Sequence, residues 1–396
     1  MTSNPKSNPS HHMKIGVVVP HIFMHRDILP RVIFSPGHLA IDLVNGLHAL
    51  DHDVTLLSPG PVDVDCRNLT ADLSLFEAEL ARRGDDYVDL LRKHPMTFVT
   101  LARQVQAELI ARAYAIANSG EFDIVHIYTN EEEIGYAFAE LCHTPVVFTH
   151  HDPYNFLIRY KSIMPRYKHL NWISISQAQR RTMPADTNWV GNVYHGLNEP
   201  KLTPVVSPSR DYFAYLGRII QPKGVHLAIA TVRKYNETAV TPMKLKIAGK
   251  HYAESSKDSY WQTAILPELD DMIEYVGFID TPEAKRDFLG NARALLVPSL
   301  FDEPFGMVTI EAFACATPVI ALDSGALPEV IEDGQTGYII TKSLDGSDMI
   351  LRLAERLQSV DSIDQNACRA TFEERFTEQR MITDHEQIYR ALTERL

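Results

Sequence analysis

The chain has 396 residues, 45% of them hydrophobic and 22% charged, which is enough for two ordinary soluble domains with a large core. A formal net charge of −13 speaks against a broad nucleic-acid footprint, so any phosphate-binding site has to be local. Cys66, Cys142, Cys315 and Cys368 lack C-x-x-C spacing and read as reduced core residues of a cytoplasmic protein, and no run approaches the ~20 apolar residues that a membrane-spanning helix needs.

Residues 1–12, mostly Asn, Ser, Pro and His with no apolar stretch, read as a disordered tail and not as a signal peptide. From Met13 short β-branched runs alternate with longer amphipathic ones: strand 14–19, helix 37–50, strand 53–58. Strands at 123–127, 145–149 and 172–174 follow, separated by helices at 96–118 and 131–141. That rhythm predicts an open, mainly parallel sheet. Residues 198–210 carry prolines and no periodicity and are the expected linker. Beyond them a second series of strands begins, at 212–216, 243–248, 273–276, 294–297, 319–322 and 338–340.

The expected fold class is therefore α/β, with two Rossmann-like doubly wound domains facing a central cleft. Their expected bounds are 13–197 and 198–377, with an amphipathic C-terminal helix over 378–396 packing back on the first domain. In such sheets ligands sit beyond the carboxyl ends of the strands, so the loops there are where chemistry is expected.

One stretch stands out. Around Pro304-Phe305-Gly306 two carboxylates are set, Glu303 before a helix start and Glu311 inside that helix. A helix N-terminus offers unpaired N–H groups to an anion. A carboxylate beside it repels phosphate unless it binds something else, such as the hydroxyls of a sugar or ribose. A second stretch, Tyr215-Leu-Gly-Arg-Ile-Ile-Gln-Pro-Lys-Gly224, places Arg218 and Lys223 on a strand-to-helix loop. A planar guanidinium and a point-charge ammonium suit a diphosphate, although basic loop residues taken singly are more often solvated.

Gly217-Arg-Ile-Ile-Gln-Pro-Lys-Gly224 followed by the Glu303/Glu311 block resembles the retaining GT-B glycosyltransferases, specifically glycosyltransferase family 4 (glycosyl transferases group 1). Ala294-Leu-Leu-Val-Pro-Ser299 before the block and the run from Ala321 to Gly337 after it extend the resemblance over the second half. The first half matches more weakly.

The resemblance implies that Arg218 and Lys223 grip the diphosphate of a nucleotide-sugar donor, that Glu311 binds the nucleotide ribose and that Glu303 holds the transferred sugar. Phe305, Gly306, Met307 and Val308 at the helix start would contact donor sugar and phosphate, and Val276, Gly277 and Phe278 would lie near the nucleobase. Ordinary core packing is the competing reading of Phe278. In the first half, the family's histidine at the end of a strand matches His151 in Thr149-His150-His151-Asp152, and its Gly-Gly turn is represented by Gly37 in Phe34-Ser-Pro-Gly-His38. His151, Glu303, Arg218 and Lys223 are thus the implied catalytic set, with no metal and no other cofactor. Pro36, Ser324 and Ala316 depart from the family's usual glycine-rich pattern.

The implied activity is hexosyl transfer from a UDP-, GDP- or ADP-sugar to an acceptor sugar, small molecule or lipid, with retention of configuration. A GT-B nucleotide-sugar epimerase and a non-catalytic sugar-nucleotide-binding protein are the alternatives. A metal site at His150-His151-Asp152 is weakly indicated, because adjacent residues at a strand end point opposite ways. Asp63-Val-Asp65 is too short and too remote from the block to mark metal-dependent transfer. No G-x-G-x-x-G follows the first strand, which speaks against a nicotinamide site. The basic, aromatic run 158–172 suits peripheral contact with an anionic lipid surface, a charged acceptor, or simply a solvated helix face.

Overall fold

In a computed structural model, which describes residues 12–128, 133–251 and 259–394, the chain divides into two compact units. One comprises Met1–Ser174, Met183–Gly191 and Ile382–Leu396, the other Ile175–Thr182 and Asn192–Met381. Each is built on one parallel sheet.

In the first unit β1 (Lys14–Val18), β2 (Asp53–Ser58), β3 (Arg67–Thr70), β4 (Ile124–Tyr128), β5 (Val146–Thr149), β6 (Asn171–Ser174) and β7 (Trp189–Asn192) stand in the order β3-β2-β1-β4-β5-β6-β7. The interior strands β1, β4 and β5 are mostly apolar and buried from Ile15, Ile124 and Val146 onward, because helices cover both faces of a parallel sheet. The edge strands β3 and β7 are half exposed and contain Arg67, Asn68 and Gly191, so they lack the continuous apolar run that marks a strand in sequence. The long helix Pro95–Asn118 buries Phe98, Val105, Leu109 and Ala113 against this sheet's core. Where a helix over 131–141 was expected, the described residues form a helix at Glu133–Ala137 and a 3₁₀ turn at Ala139–Leu141, and 129–132 lie outside them.

The second unit holds β8 (Tyr212–Leu216), β9 (Lys244–Ala248), β10 (Ile273–Gly277), β11 (Ala294–Val297), β12 (Val319–Leu322) and β13 (Gly337–Ile340), in the order β10-β9-β8-β11-β12-β13. Alternation along β11 and β12 is clean: Leu295, Val297, Val319 and Ala321 pack into the cluster on one face, Ala294, Leu296, Ile320 and Leu322 into the other. The order reverses between β8 and β11, so the loops after these two strands meet at the topological switch point.

The proline-bearing stretch expected as a linker belongs to this unit. Arg210 holds it there, donating to Ala292 O at 2.5 Å, Ala316 O at 3.1 Å and Gln365 Oε1 at 2.9 Å. The last helix, Glu378–Thr393, starts in the second unit and from Ile382 belongs to the first. There Ile382 packs at Gly46 and Ile388 at Gly191, close enough that a Cβ at either glycine would displace the isoleucine side chain.

Candidate active site

The loop after β8 is a tight one. Gly224 has φ +72°, and a Cβ there would meet Pro298 O at 1.9 Å, so the chain between β8 and the helix Val225–Asn236 can turn this way only through glycine. The hydroxyl of buried Tyr215 donates to Arg218 O at 3.1 Å and lies 3.5 Å from Lys223 O, fixing the backbone of both basic residues from below. Burial, followed by the charge of Glu303, holds that phenol well above its ordinary pKa, so it stays a neutral donor. Leu300 N and Phe301 N donate to Pro222 O at 2.9 and 3.0 Å, joining this loop to the one after β11.

Across that junction Lys223 Nζ meets both oxygens of Glu303, at 2.6 and 2.8 Å. The carboxylate is buried and the ammonium half-buried, 5.1 Å over the Phe301 ring. A negative charge beside an anion site is thereby matched by a cation from the neighbouring loop. Arg218 lies on the same loop, exposed, and forms no ion pair among the described residues. Glu303 is held by its own backbone as well, since Ala326 N donates to Glu303 O at 2.8 Å.

After Glu303 the chain passes through buried Phe305, which packs against Tyr194, His195 and Phe376, and through Gly306 at φ +96°, into the helix Met307–Ala314. Met307 and Val308 form its first turn and are partly buried. Glu311, a turn further on, is not a solvated helix residue: it is buried and its Oε1 accepts from Lys285 Nζ at 2.7 Å. Lys285 comes from the helix Pro282–Gly290 and was not among the expected site residues. In sequence it reads as one more solvated lysine, and nothing local signals a partner 26 positions away.

At the end of β10, Gly277 has φ +93° and the flanking Val276 and Phe278 are 43% and 52% exposed. The core-packing reading of Phe278 is therefore wrong: a large aromatic ring stands in solvent on the carboxyl edge of the sheet. Two of the departures from the family pattern also acquire a physical meaning. Ser324 Oγ donates to Ser299 O, tying the loop after β12 to the loop after β11. Ala316 sits at φ +56°, the left-handed conformation that glycine accepts without strain.

Gly37 and His151 belong to the first unit. Gly37 lies in the opening turn of the helix Ser35–Ala49, where its N–H donates to Phe34 O at 3.1 Å and a Cβ would stand 2.7 Å from the Phe34 ring. Pro36 falls in the same turn, where a missing N–H removes no helical hydrogen bond. His150 and His151, just past β5, do point opposite ways: His150 lies against Tyr154 and Tyr160, His151 edge-on to Tyr128 at 4.8 Å. Among the described residues no group of three or more His, Cys, Asp or Glu is arranged to hold a metal ion.

The basic run 158–172 is not one surface. Tyr160, Met164 and Trp172 are core residues, and Arg159 pairs with Glu133 at 3.1 Å, leaving Ile158, Lys161 and Arg166 exposed. Among the described residues no helix is long and apolar enough to cross a membrane.

Residues 204–367 match the family described as Glycosyl transferases group 1, and residues 37–186 match Glycosyltransferase Family 4. Among curated proteins, the alpha-maltose-1-phosphate synthase of Mycobacterium tuberculosis is 28% identical over 219 residues, 48% of this chain and 53% of its own length. A glycogen synthase of the same species is 35% identical over 123 residues, 31% of this chain and 28% of its own length. The matched region thus spans about half or less of these relatives. Among solved structures, the sucrose-phosphate synthase of Thermosynechococcus elongatus superposes with a TM-score of 0.72 at 16% identity, covering 96% of this chain and 99% of that one. Anabaena HepE, solved with UDP and glucose, gives a TM-score of 0.64 at 16% identity, covering 96% and 100%.

Proposed function

The chain belongs to the GT-B glycosyltransferases of the glycosyl transferases group 1 and glycosyltransferase family 4 type, and from that premise we propose that it is a retaining transferase using a nucleotide-diphosphate sugar. The observation that carries the proposal is the Lys223–Glu303 pair at the switch point of the second sheet, with Arg218 on the same loop.

In this reading Arg218 and Lys223 neutralise the donor diphosphate, and Glu303, already bonded to Lys223, accepts from hydroxyls of the sugar to be transferred. The N-terminus of the helix Met307–Ala314 adds N–H groups and a positive dipole end through Phe305, Gly306, Met307 and Val308. Glu311 takes the ribose, and the exposed Phe278, with Val276 and Gly277, forms the platform for the base. His151 and Gly37 serve the sugar and acceptor side.

Departure of the diphosphate breaks the bond from the anomeric carbon to phosphate oxygen, and its charge is stabilised by Arg218 and Lys223. The acceptor hydroxyl bonds to the same face of that carbon, and a phosphate oxygen of the leaving group takes its proton. No protein base is needed, and Arg218, Lys223 and the helix N-terminus are the groups of this chain that would meet the developing charge. HepE, solved with UDP and with UDP-glucose, supports UDP as the first nucleotide to try. The acceptor is a sugar, small molecule or lipid, the exposed Ile158, Lys161 and Arg166 favouring an amphipathic one. Four unpaired thiols suit a reducing, cytoplasmic setting.

A thermal-shift screen against UDP-, GDP- and ADP-sugars identifies the donor, since a ligand that binds only the folded state raises its stability in proportion to RT ln(1 + [L]/Kd). With that donor, Glu303→Ala, Lys223→Ala and Arg218→Ala should each lose most transferase activity while melting cooperatively. Wild-type turnover in any one of them removes that residue from the proposed role. Conversion of the donor alone to an isomeric nucleotide sugar would replace transfer by epimerisation.

A further inference from the structure

We propose that Lys285 is a positioning residue for the nucleotide ribose, holding the Glu311 carboxylate aimed so that the site selects a ribonucleoside diphosphate. The inference rests on the reading of Glu311 as the ribose ligand given above.

Glu311 sits in a helix whose residues Ile310, Ala312 and Phe313, with Cys315 at its end, are all buried, and it retains only 9% of its own surface. A charged carboxylate in such surroundings is unfavourable unless paired. Paired, it offers acceptor oxygens whose charge makes hydrogen bonds from sugar hydroxyls strong. Lys285 Nζ supplies the partner at 2.7 Å, and it engages Oε1 alone. Oε2 has no partner among the described residues, so it is the oxygen available to a hydroxyl.

The lysine is itself firmly placed. Its helix, Pro282–Gly290, is capped by Thr281 Oγ1, which accepts from Ala284 N at 3.2 Å, and Lys285 N donates to Thr281 O at 3.0 Å. That helix directly follows the loop carrying Val276–Phe278, so the segment proposed to meet the base also delivers the cation that sets the ribose ligand. Cys315, one turn beyond Glu311, has its thiol pushed up to about 12 by burial and then by the glutamate's charge, so it contributes no competing anion.

Isothermal titration of the purified full chain tests this with UDP, GDP and ADP and the 2′,3′-dideoxy form of each, on wild type, Lys285→Met, Lys285→Gln, Lys285→Arg and Glu311→Gln. For the diphosphate that binds wild type, the Met and Gln variants should lose about tenfold in affinity for the ribo form, the scale of one charge-assisted hydrogen bond. They should change little toward the dideoxy form, and the Arg variant should keep most of the ribo preference. The near-isosteric Gln variant covers a Met variant that fails to fold. Equal losses on both forms, or none, overturn the role of Lys285 while the Glu311 reading stands, provided Glu311→Gln still removes the ribo preference. If Glu311→Gln leaves that preference intact, or if no diphosphate binds wild type, the Glu311 reading fails and this inference with it.

Discussion

At the scale of single residues the site consists of two carboxylates that each acquire a cation from elsewhere in the chain, Glu303 from Lys223 and Glu311 from Lys285. The carboxylates were readable in the sequence because Pro304 and Gly306 punctuate them and because one of them has to precede a helix. The cation of Glu311 was not, since a helix residue's partner across a gap of 26 positions depends on how two helices pack. The Lys223–Glu303 pair should also be felt in stability, and unevenly. Lys223→Met strands a buried carboxylate, whereas Glu303→Gln leaves an ammonium that can still reach water. We expect Lys223→Met to be the more destabilising single change, and the double variant to recover part of the loss, with a coupling on the order of 1–3 kcal/mol. Urea unfolding of the three variants measures this, and strictly additive effects would show that the pair carries no net energy.

At the scale of elements the site is made by loops at the carboxyl ends of β8, β10 and β11, each shaped by a glycine or proline that closes it in one way. Gly224 is the tightest of these turns. Gly224→Ala forces a methyl against Pro298 O and a left-handed backbone onto an L-residue, which alone costs about 1–2 kcal/mol. Since Leu300 and Phe301 bond to Pro222 two residues earlier, the displacement must reach the loop that carries Glu303. Differential scanning calorimetry should therefore show a melting temperature lowered by several degrees, together with weakened donor binding; wild-type values for both would falsify the coupling of the two loops. The strands that build this platform were legible where they are buried on both faces, as β8, β11 and β12 are, because short continuous apolar runs bounded by loop residues have few other uses. The edge strands β3 and β7 were not, because a half-exposed strand has no distinctive pattern to read.

At the scale of the whole molecule the final helix supplies the first unit with interior polar residues. His126 on β4 is fully buried, its Nδ1 2.6 Å from the Tyr389 hydroxyl, its Nε2 2.8 Å from Thr149 Oγ1, with Tyr128 and His385 beside it. Burial, and then the neighbouring His385, hold its pKa well below the ordinary 6.5. The unfolded chain protonates this ring near its ordinary pKa and the folded chain does not. Its contribution is therefore complete above that pH and is lost as the pH falls below it, by about 1.4 kcal/mol per pH unit. His25 and His226, also lowered by burial, act in the same direction. Urea midpoints should fall between pH 7 and pH 5, and His126→Asn should take up about one proton fewer on unfolding; an unchanged slope would mean that this ring does not stay neutral.

What the amino-acid sequence determined by itself was the local grammar: which runs form buried parallel strands, where loops must break, and which charged residues fall in the loops after the strands. Those follow from hydrophobic period and backbone sterics, which act over a few residues. Which cation serves which carboxylate, that Phe278 stands in solvent, and that the last helix completes the surroundings of His126 were decided only by tertiary structure. Each of these is a contact between segments far apart in the chain, set by packing and burial, and no local pattern encodes it.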